Sequence, residues 1–180
     1  MAKYLRKRKN PVLLWILPVL LLTALGFFFL RMNSGKGPVC KDYVLTLPEG
    51  MVLQNKDKTQ DSLILRGEDT VGGILHCPFG SSKPPALYPI NHQSSEIIIA
   101  TLKAADAPGT NPAASDYMDY IIEGGSHSYS CVASFVNRNT EYKHYMIFCE
   151  KGILTLWFDT AQIESEIMDS ISSTFAVAQP

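Results

Sequence analysis

The N-terminal part of the chain lacks negative charge, and for a long stretch it lacks charge of either sign. Residues 1–33 contain six Lys/Arg and no Asp/Glu, and the 21 residues 10–30 carry no formal charge. As a helix rising 1.5 Å per residue, this stretch reaches about 31 Å, close to the roughly 30 Å of a bilayer's hydrocarbon core. It is also longer than the apolar run of a cleaved signal peptide. We therefore expect an uncleaved transmembrane anchor.

The positive charges predict how this anchor is oriented. Five Lys/Arg precede it, and positive flanks stay in the cytoplasm. We assign residues 1–10 to a cytoplasmic basic tail, 11–31 to a transmembrane helix whose partner is the lipid bilayer, 32–41 to a tether and 42–180 to an extracytoplasmic domain. The predicted localisation is the cell membrane, single-pass, with the N-terminus inside. A cleaved signal peptide is the alternative, although the residues before Arg31 form a poor cleavage site.

Positive charge is scarce beyond the anchor. After residue 33, ten Lys/Arg stand against seventeen Asp/Glu, a formal charge of −7, whereas the whole chain carries only −1. A surface of this sign repels the phosphate backbone of DNA and RNA, so we expect no nucleic-acid partner.

Catalytic motifs are also absent. The sequence contains no HExxH, GxSxG, SxxK, Walker or GxGxxG pattern. A metal site from His76, Cys77 and His92 is conceivable, but these residues lack the ligand spacing of known zinc sites. We therefore expect no enzyme, no metal and no cofactor, with a metal-dependent or hydrolytic enzyme as the alternative.

The outer part of the chain shows strand and helix patterns in succession. Alternation of apolar residues predicts strands, and four-residue repeats of apolar residues predict two helices, 93–104 and 160–175. Ser94 or Ser95 is expected to cap the first helix, and Asp159 or Thr160 the second. The fold class is α+β: one N-terminal transmembrane helix, and an antiparallel sheet of about six or seven strands with both helices on one face. The predicted strands are 42–49 (with 51–53 as an extension), 62–67, 71–77, 117–123, 127–137, 142–150 and 153–158.

Two adjacent glycines interrupt the third predicted strand. Gly72 and Gly73 weaken a regular strand, and they indicate a β-bulge or a close approach of another backbone.

All four cysteines, Cys40, Cys77, Cys131 and Cys149, lie on the predicted outer side, where disulfides form. A hairpin register in which paired residue numbers sum to 280 places Cys131 opposite Cys149 and predicts a disulfide there. Cys40 with Cys77 is a second candidate pair. Buried free thiols are the alternative, because sequence alone allows three pairings.

Three short segments resemble a known domain: residues 71–74 (VGGI), 89–94 (PINHQS) and 156–160 (LWFDT). They are similar to an extracytoplasmic domain of uncharacterised single-pass membrane proteins of Gram-positive bacteria. That domain also resembles a segment found beside BlaR1-type sensors. The order of strands and helices is similar to the PsbP/Mog1-like fold, which implies a binding or accessory role.

These patterns lead to two hypotheses about function. The first is a membrane-anchored extracytoplasmic domain that senses or binds an envelope ligand or a membrane protein, without catalysis. Its binding residues are predicted in the proline-rich loop of residues 84–92, where Tyr88, Asn91 and His92 offer polar contacts above Gly72 and Gly73. The second is a structural or accessory subunit of a membrane complex.

Overall fold

A computed structural model describes residues 42–55, 61–81, 85–111, 118–125, 130–137 and 140–178. The chain divides into two units, Met1–Gly35 and Lys36–Pro180, and all described residues belong to the second. The predicted tail, transmembrane helix and tether therefore lie outside the described residues. Within the part that is described, no helix is both long and apolar enough to cross a membrane.

Nine strands and two helices make up the described ranges. In chain order they are β1 Tyr43–Val44, β2 Met51–Asn55, β3 Ser62–Arg66, β4 Asp69–Pro78, α1 His92–Ala104, β5 Met118–Gly124, β6 Cys131–Asn137, β7 Thr140–Phe148, β8 Gly152–Asp159, α2 Ser165–Thr174 and β9 Ala176–Val177.

Seven of the strands form one antiparallel sheet in the order β2-β3-β4-β8-β7-β6-β5. The predicted α+β class and strand number are thereby confirmed. The first predicted strand, 42–49, is largely wrong, since within it only β1 pairs, and it pairs with β9 near the C-terminus. Its predicted extension, 51–53, is a strand and forms part of β2. Leu45 and Leu47 instead follow as an unpaired segment that packs against the core. The alternation of apolar residues in this segment therefore indicates that one side of it is buried, and does not indicate pairing with another strand.

The glycine pair lies at an irregularity, as predicted. Leu65 pairs with Thr70 and Ile64 with Gly72, so Val71 is the extra residue of a bulge. A Cβ on Gly72 would lie 2.5 Å from the Trp157 carbonyl oxygen. Glycine here therefore allows two strands to approach more closely than a side chain would permit.

The hairpin of β6 and β7 has a different register from the predicted one. Asn137 pairs with Thr140 and Cys131 with Met146, so paired numbers sum to 277 rather than 280. A shift by an odd number of residues moves one strand's side chains to the other face. Cys131 therefore shares a face with Met146, and Cys149 lies with Tyr145 on the opposite face.

Because of this register, the sheet buries apolar side chains on both faces. On one face, Ile98 and Leu102 of α1 pack with Met146 in one cluster. On the other, Met168 and Ile171 of α2 pack in a second cluster with Tyr145, Leu156 and Phe158. The prediction that both helices cover one face is wrong, since each covers its own.

Helix α1 begins with a capping box centred on Asn91. The Asn91 side chain accepts a hydrogen bond from the Ser94 amide at 3.0 Å, and the Asn91 amide donates to Ser94 Oγ at 2.8 Å. This pair satisfies two backbone donors that would otherwise be unpaired. The predicted caps are thus wrong: Ser94 is the third helical residue, and the cap lies three residues earlier.

Helix α2 begins later than predicted. The Asp159 carboxylate accepts from the Ala161 amide at 3.0 Å, and the Asp159 carbonyl accepts from the Gln162 amide at 3.0 Å. These bonds form a separate turn, so Asp159 does not cap the helix, which starts at Ser165. The predicted buried side is correct, since Ile163, Ile171 and Phe175 lie in the core.

Neither predicted disulfide is formed. Cys77 and Cys131 are free and buried, which excludes Cys40 with Cys77 and Cys131 with Cys149. Burial raises the pKa of both free thiols to about 12. Cys149 is disulfide-bonded, and Cys40 lies outside the described residues. The predicted pair of Cys131 with Cys149 is wrong because the predicted register of β6 and β7 is wrong. In the observed register, these two cysteines face opposite sides of the sheet.

Candidate functional site

The loop before α1 exposes Tyr88 while fixing its position. Tyr88 is 62% exposed, and its hydroxyl donates to the Ser130 carbonyl at 3.2 Å. Its ring centroid lies 5.2 Å from that of Phe148. Tyr88 is therefore anchored at the start of β6 and the end of β7, with most of its surface open to solvent.

The other two predicted loop residues have different roles. Asn91 uses its side-chain oxygen to cap α1. His92 is exposed, and its Nε2 lies 3.6 Å from Oε1 of Glu96, one turn further along the helix. Of this group, Tyr88 and His92 are the residues whose side chains are available to a ligand.

The two glycines of the predicted site lie elsewhere in the sheet. Phe148, which contacts Tyr88, pairs with Ile153, and Ile153 pairs with Cys77. Gly72 is five residues before Cys77 on β4, which corresponds to about 16 Å along a strand. The structure therefore does not bring Gly72 and Gly73 together with the loop, and their role is to allow close packing of strands.

Two of the residues considered as metal ligands, Cys77 and His92, differ in their exposure to solvent. Cys77 is buried, whereas the side chain of His92 is exposed. Across the described ranges, no group of three or more His, Cys, Asp and Glu side chains is placed to hold a metal ion.

A buried histidine forms a polar cluster that the sequence pattern did not reveal. His144 Nε2 donates to the Pro108 carbonyl at 2.8 Å, and its Nδ1 accepts from Thr155 Oγ1 at 3.2 Å. Because a carbonyl can only accept, the proton lies on Nε2. Burial lowers the pKa of His144 to about 4. The neutral ring thus fastens the loop after α1 to β7 and β8, and we assign it a structural role.

A groove of about 300 Å³ lies over the last three strands of the sheet. It is on the same face of the sheet as the α2 cluster, because Val132 in its lining pairs with Tyr145, which belongs to that cluster. Of the apolar side chains that the structure describes on β5 and β6, Val132 alone packs against that core cluster. We refer to the surface formed by β5, β6 and the first half of β7 on this face as the open sheet face.

Strand pairing arranges the open sheet face into rows that run across three strands. One row is Asp119, Val136 and Glu141, and the next is Ile121, Ser134 and Lys143. Glu123 and Val132 continue the third row. Alternate residues of a strand share one face, so Asp119, Ile121 and Glu123 lie on the same side of β5. Acidic and apolar side chains therefore alternate along this face.

The groove combines exposed apolar surface with negative charge. Ile121 is 65% exposed and Val136 is 39% exposed. Asp119, Glu123 and Glu141 form no ion pair and no side-chain hydrogen bond with any residue that the structure describes. Among the described residues of the lining, the cation is Lys143, whose Nζ lies 3.9 Å from Asp169 of α2.

Strand β5 also lies at an edge of the sheet. The Gly125 amide donates to the Ser130 carbonyl at 2.9 Å, directly across the pair. Such pairs recur at every second residue of an antiparallel ladder, so Asp119, Ile121 and Glu123 bond to β6. The backbone N–H and C=O groups of Tyr120 and Ile122 therefore point away from β6, and no described strand bonds to them.

The open sheet face was not among the predicted sites. The signal for it is the period-two alternation of Asp119, Ile121 and Glu123, which places two acids around an apolar residue on one strand face. Exposed apolar surface rimmed by charged residues is one of the features by which interaction sites are recognised.

Comparisons of the chain with protein-family models, curated proteins and solved structures found no match. The resemblance to the domain found beside BlaR1-type sensors and to the PsbP/Mog1-like fold stays a prediction. Function is therefore inferred from the chemistry of the site itself.

Proposed function

We propose that this chain is a membrane-anchored extracytoplasmic domain that binds a ligand without catalysing a reaction. The observation that carries the proposal is the open sheet face, with its groove and its exposed apolar residues among carboxylates. Residues 11–31 are its proposed anchor, because that stretch has the length and composition of a membrane span.

The shape of the groove supports a ligand that lies along the surface. Its volume of about 300 Å³ is at the lower end of the range for small-molecule pockets. It is formed by one sheet face, not by surrounding elements. An extended ligand that contacts a long stretch of this surface fits such a site better than a compact molecule that needs enclosure.

The residue types in the groove support binding rather than catalysis. Among the described residues that line it there is no histidine and no cysteine, which are the usual general base and the usual thiol nucleophile. The sequence also lacks the motifs of the common hydrolases and metalloenzymes.

Site-specific photo-cross-linking tests the proposal in native membranes. A photoreactive residue replaces Ile121 in the groove or, as a matched control, Val52 on β2 at the opposite edge of the sheet. The two positions have similar exposure, 65% and 57%. We expect adducts from position 121 well above those from position 52. Equal yields at the two positions, or none at 121, would contradict the assignment of this surface.

The predicted loop is the competing surface. Because Tyr88 and Phe148 pack in the α1 face, the loop and the open sheet face lie on opposite sides of the sheet. If the open sheet face binds the ligand, replacing Tyr88 and His92 by Ala leaves the adducts at position 121 unchanged. Loss of those adducts in the double variant would move the site to the loop.

An accessory subunit of a membrane complex is the second candidate, and the free edge of β5 favours it because a protein partner can use such an edge. Exchange of residues 11–31 for an unrelated apolar sequence of equal length separates the two functions. A binding domain keeps its function after the exchange, whereas a subunit that packs through its anchor loses it.

A further inference from the structure

No strand in the described part of the chain pairs with the outer edge of β5. Tyr120 and Ile122 direct their backbone hydrogen-bonding groups outward, because the bond between Gly125 and Ser130 turns the alternate residues of β5 toward β6. Natural edge strands often carry Lys or Pro, which discourage pairing, and β5 (MDYIIEG) has neither. The strand therefore offers a ladder of donors and acceptors beside an exposed isoleucine.

The charges next to this edge select the kind of chain that can pair with it. Asp119 and Glu123 stand two residues on either side of Ile121, on the same face, and Glu141 lies in the same groove. Side chains directly opposite each other in paired strands lie about 5 Å apart, so opposite charges there are favourable and like charges unfavourable. A partner strand with basic residues opposite the two acids is therefore preferred.

A second copy of this chain fits the edge poorly. The register that pairs the whole of Met118–Gly124 with itself places Asp119 opposite Glu123 on each side of Ile121. Both contacts join like charges. The acids thus act against self-pairing at the same edge where they favour a basic strand.

From the free edge, the apolar residue and the two acids, we propose that the ligand is an extended basic polypeptide segment that adds to β5 as a further strand of the sheet. This inference rests on the proposed binding function and specifies its ligand. The matching segment has the pattern basic–x–apolar–x–basic, because alternate residues of a strand share a face. Its apolar residue covers Ile121, and its basic residues meet Asp119 and Glu123.

Synthetic peptides test the inference with the full chain in detergent micelles. The probe is a fluorescent heptapeptide, TKTITKT, and its Kd is measured by anisotropy at low and high salt. The charge control is TETITET. Two further peptides with the sequence TKTITKT control for backbone hydrogen bonds. One carries N-methyl groups on the amides of both lysines, and the other on the amides of the second, third and fourth threonines. Each peptide has therefore lost N–H donors on one side of the strand.

We expect TKTITKT to bind at least tenfold more tightly than TETITET, with a Kd that rises with salt. N-methylation of the amides that face β5 is expected to weaken binding at least tenfold, whereas N-methylation of the opposite set has less effect. The variant with the double charge reversal Asp119→Lys/Glu123→Lys should bind TETITET more tightly than TKTITKT. Since the peptide controls leave the protein unchanged, they stay informative if this variant does not fold.

Equal affinity for both charge forms, or full affinity of both N-methylated peptides, would overturn the inference. The cross-linking experiment at position 121 separates this failure from failure of the proposed function. An adduct that is a glycan, a lipid or a dimer of this chain overturns the basic-strand inference and leaves a binding surface in place. Absence of any adduct above the control at position 52 overturns the binding surface itself.

Discussion

Acidification should destabilise the folded domain through His144. This side chain is completely buried, and its two ring nitrogens are used by Pro108 and Thr155. A proton added to the ring places a positive charge where no water reaches it. Because the same histidine is solvated in the unfolded chain, the unfolded state takes up the proton more easily.

The size of the effect follows from the two pKa values. The pKa of His144 is about 4 in the folded state and 6.5 ordinarily. Above pH 6.5 the ring is neutral in both states and contributes no pH dependence. Between pH 6.5 and 4 only the unfolded state is protonated, so stability falls as the pH falls. A gap of about 2.5 units at about 1.4 kcal/mol each gives roughly 3 kcal/mol, which is lost by pH 4.

Urea denaturation of the full chain in micelles between pH 7 and 4 measures this loss. The matched variant is His144→Gln, which keeps one donor and one acceptor but does not titrate. Carboxylates titrate equally in both proteins, so they cancel in the difference between the two free energies of unfolding. We expect the wild-type value to fall by about 3 kcal/mol relative to the variant. A difference that stays constant over this range would refute the reasoning.

Three further predictions concern packing, capping and thiol reactivity. Gly73→Ala should lower the free energy of unfolding by about 1–3 kcal/mol, because the new Cβ would lie 2.5 Å from a β3 carbonyl oxygen. Gly124→Ala, where nothing lies within 4 Å, is the matched control in the same urea titration, and equal effects of both changes would contradict the packing argument. Asn91→Ala should cost about 1 kcal/mol and speed hydrogen exchange in the first turn of α1; unchanged exchange there would show that the cap contributes nothing. Cys77 and Cys131 should resist iodoacetamide at pH 8 until urea is added, since their pKa is about 12; prompt alkylation of the native protein would argue against their burial.

Local patterns predicted most elements of the fold because each depends on a few neighbouring residues. The four-residue repeat of Ile163, Ile167 and Ile171 identified the buried side of α2. Pairing was harder to predict for one physical reason. From Tyr145 to Phe148 every side chain of β7 is buried, so this half of the strand has no polar face to fix its register. The wrong register then led to the wrong cysteine pair and to helices on a single face.

Site prediction had a different difficulty. Loop composition drew attention to Tyr88 and His92, which the structure does expose. Ile121 looked like an ordinary strand residue, since exposure depends on where α2 comes to lie on the sheet. Only the assembled structure shows that α2 leaves β5 uncovered on that face. Tertiary coverage of this kind cannot be read from the residues of β5 alone.

The order of the strands also has a consequence for how the domain assembles. Strands β2 to β4 and strands β5 to β8 are two meanders, each made of neighbours in the chain. A single non-local pairing, β4 with β8, joins them, and it connects residues such as Cys77 and Ile153 that are roughly 75 residues apart. Helix α1, which lies between the meanders in the chain, contacts both β4 and β8. We expect each meander to form early. The pairing of β4 with β8 should be the slowest step, and α1 should stabilise that pairing by packing against both strands.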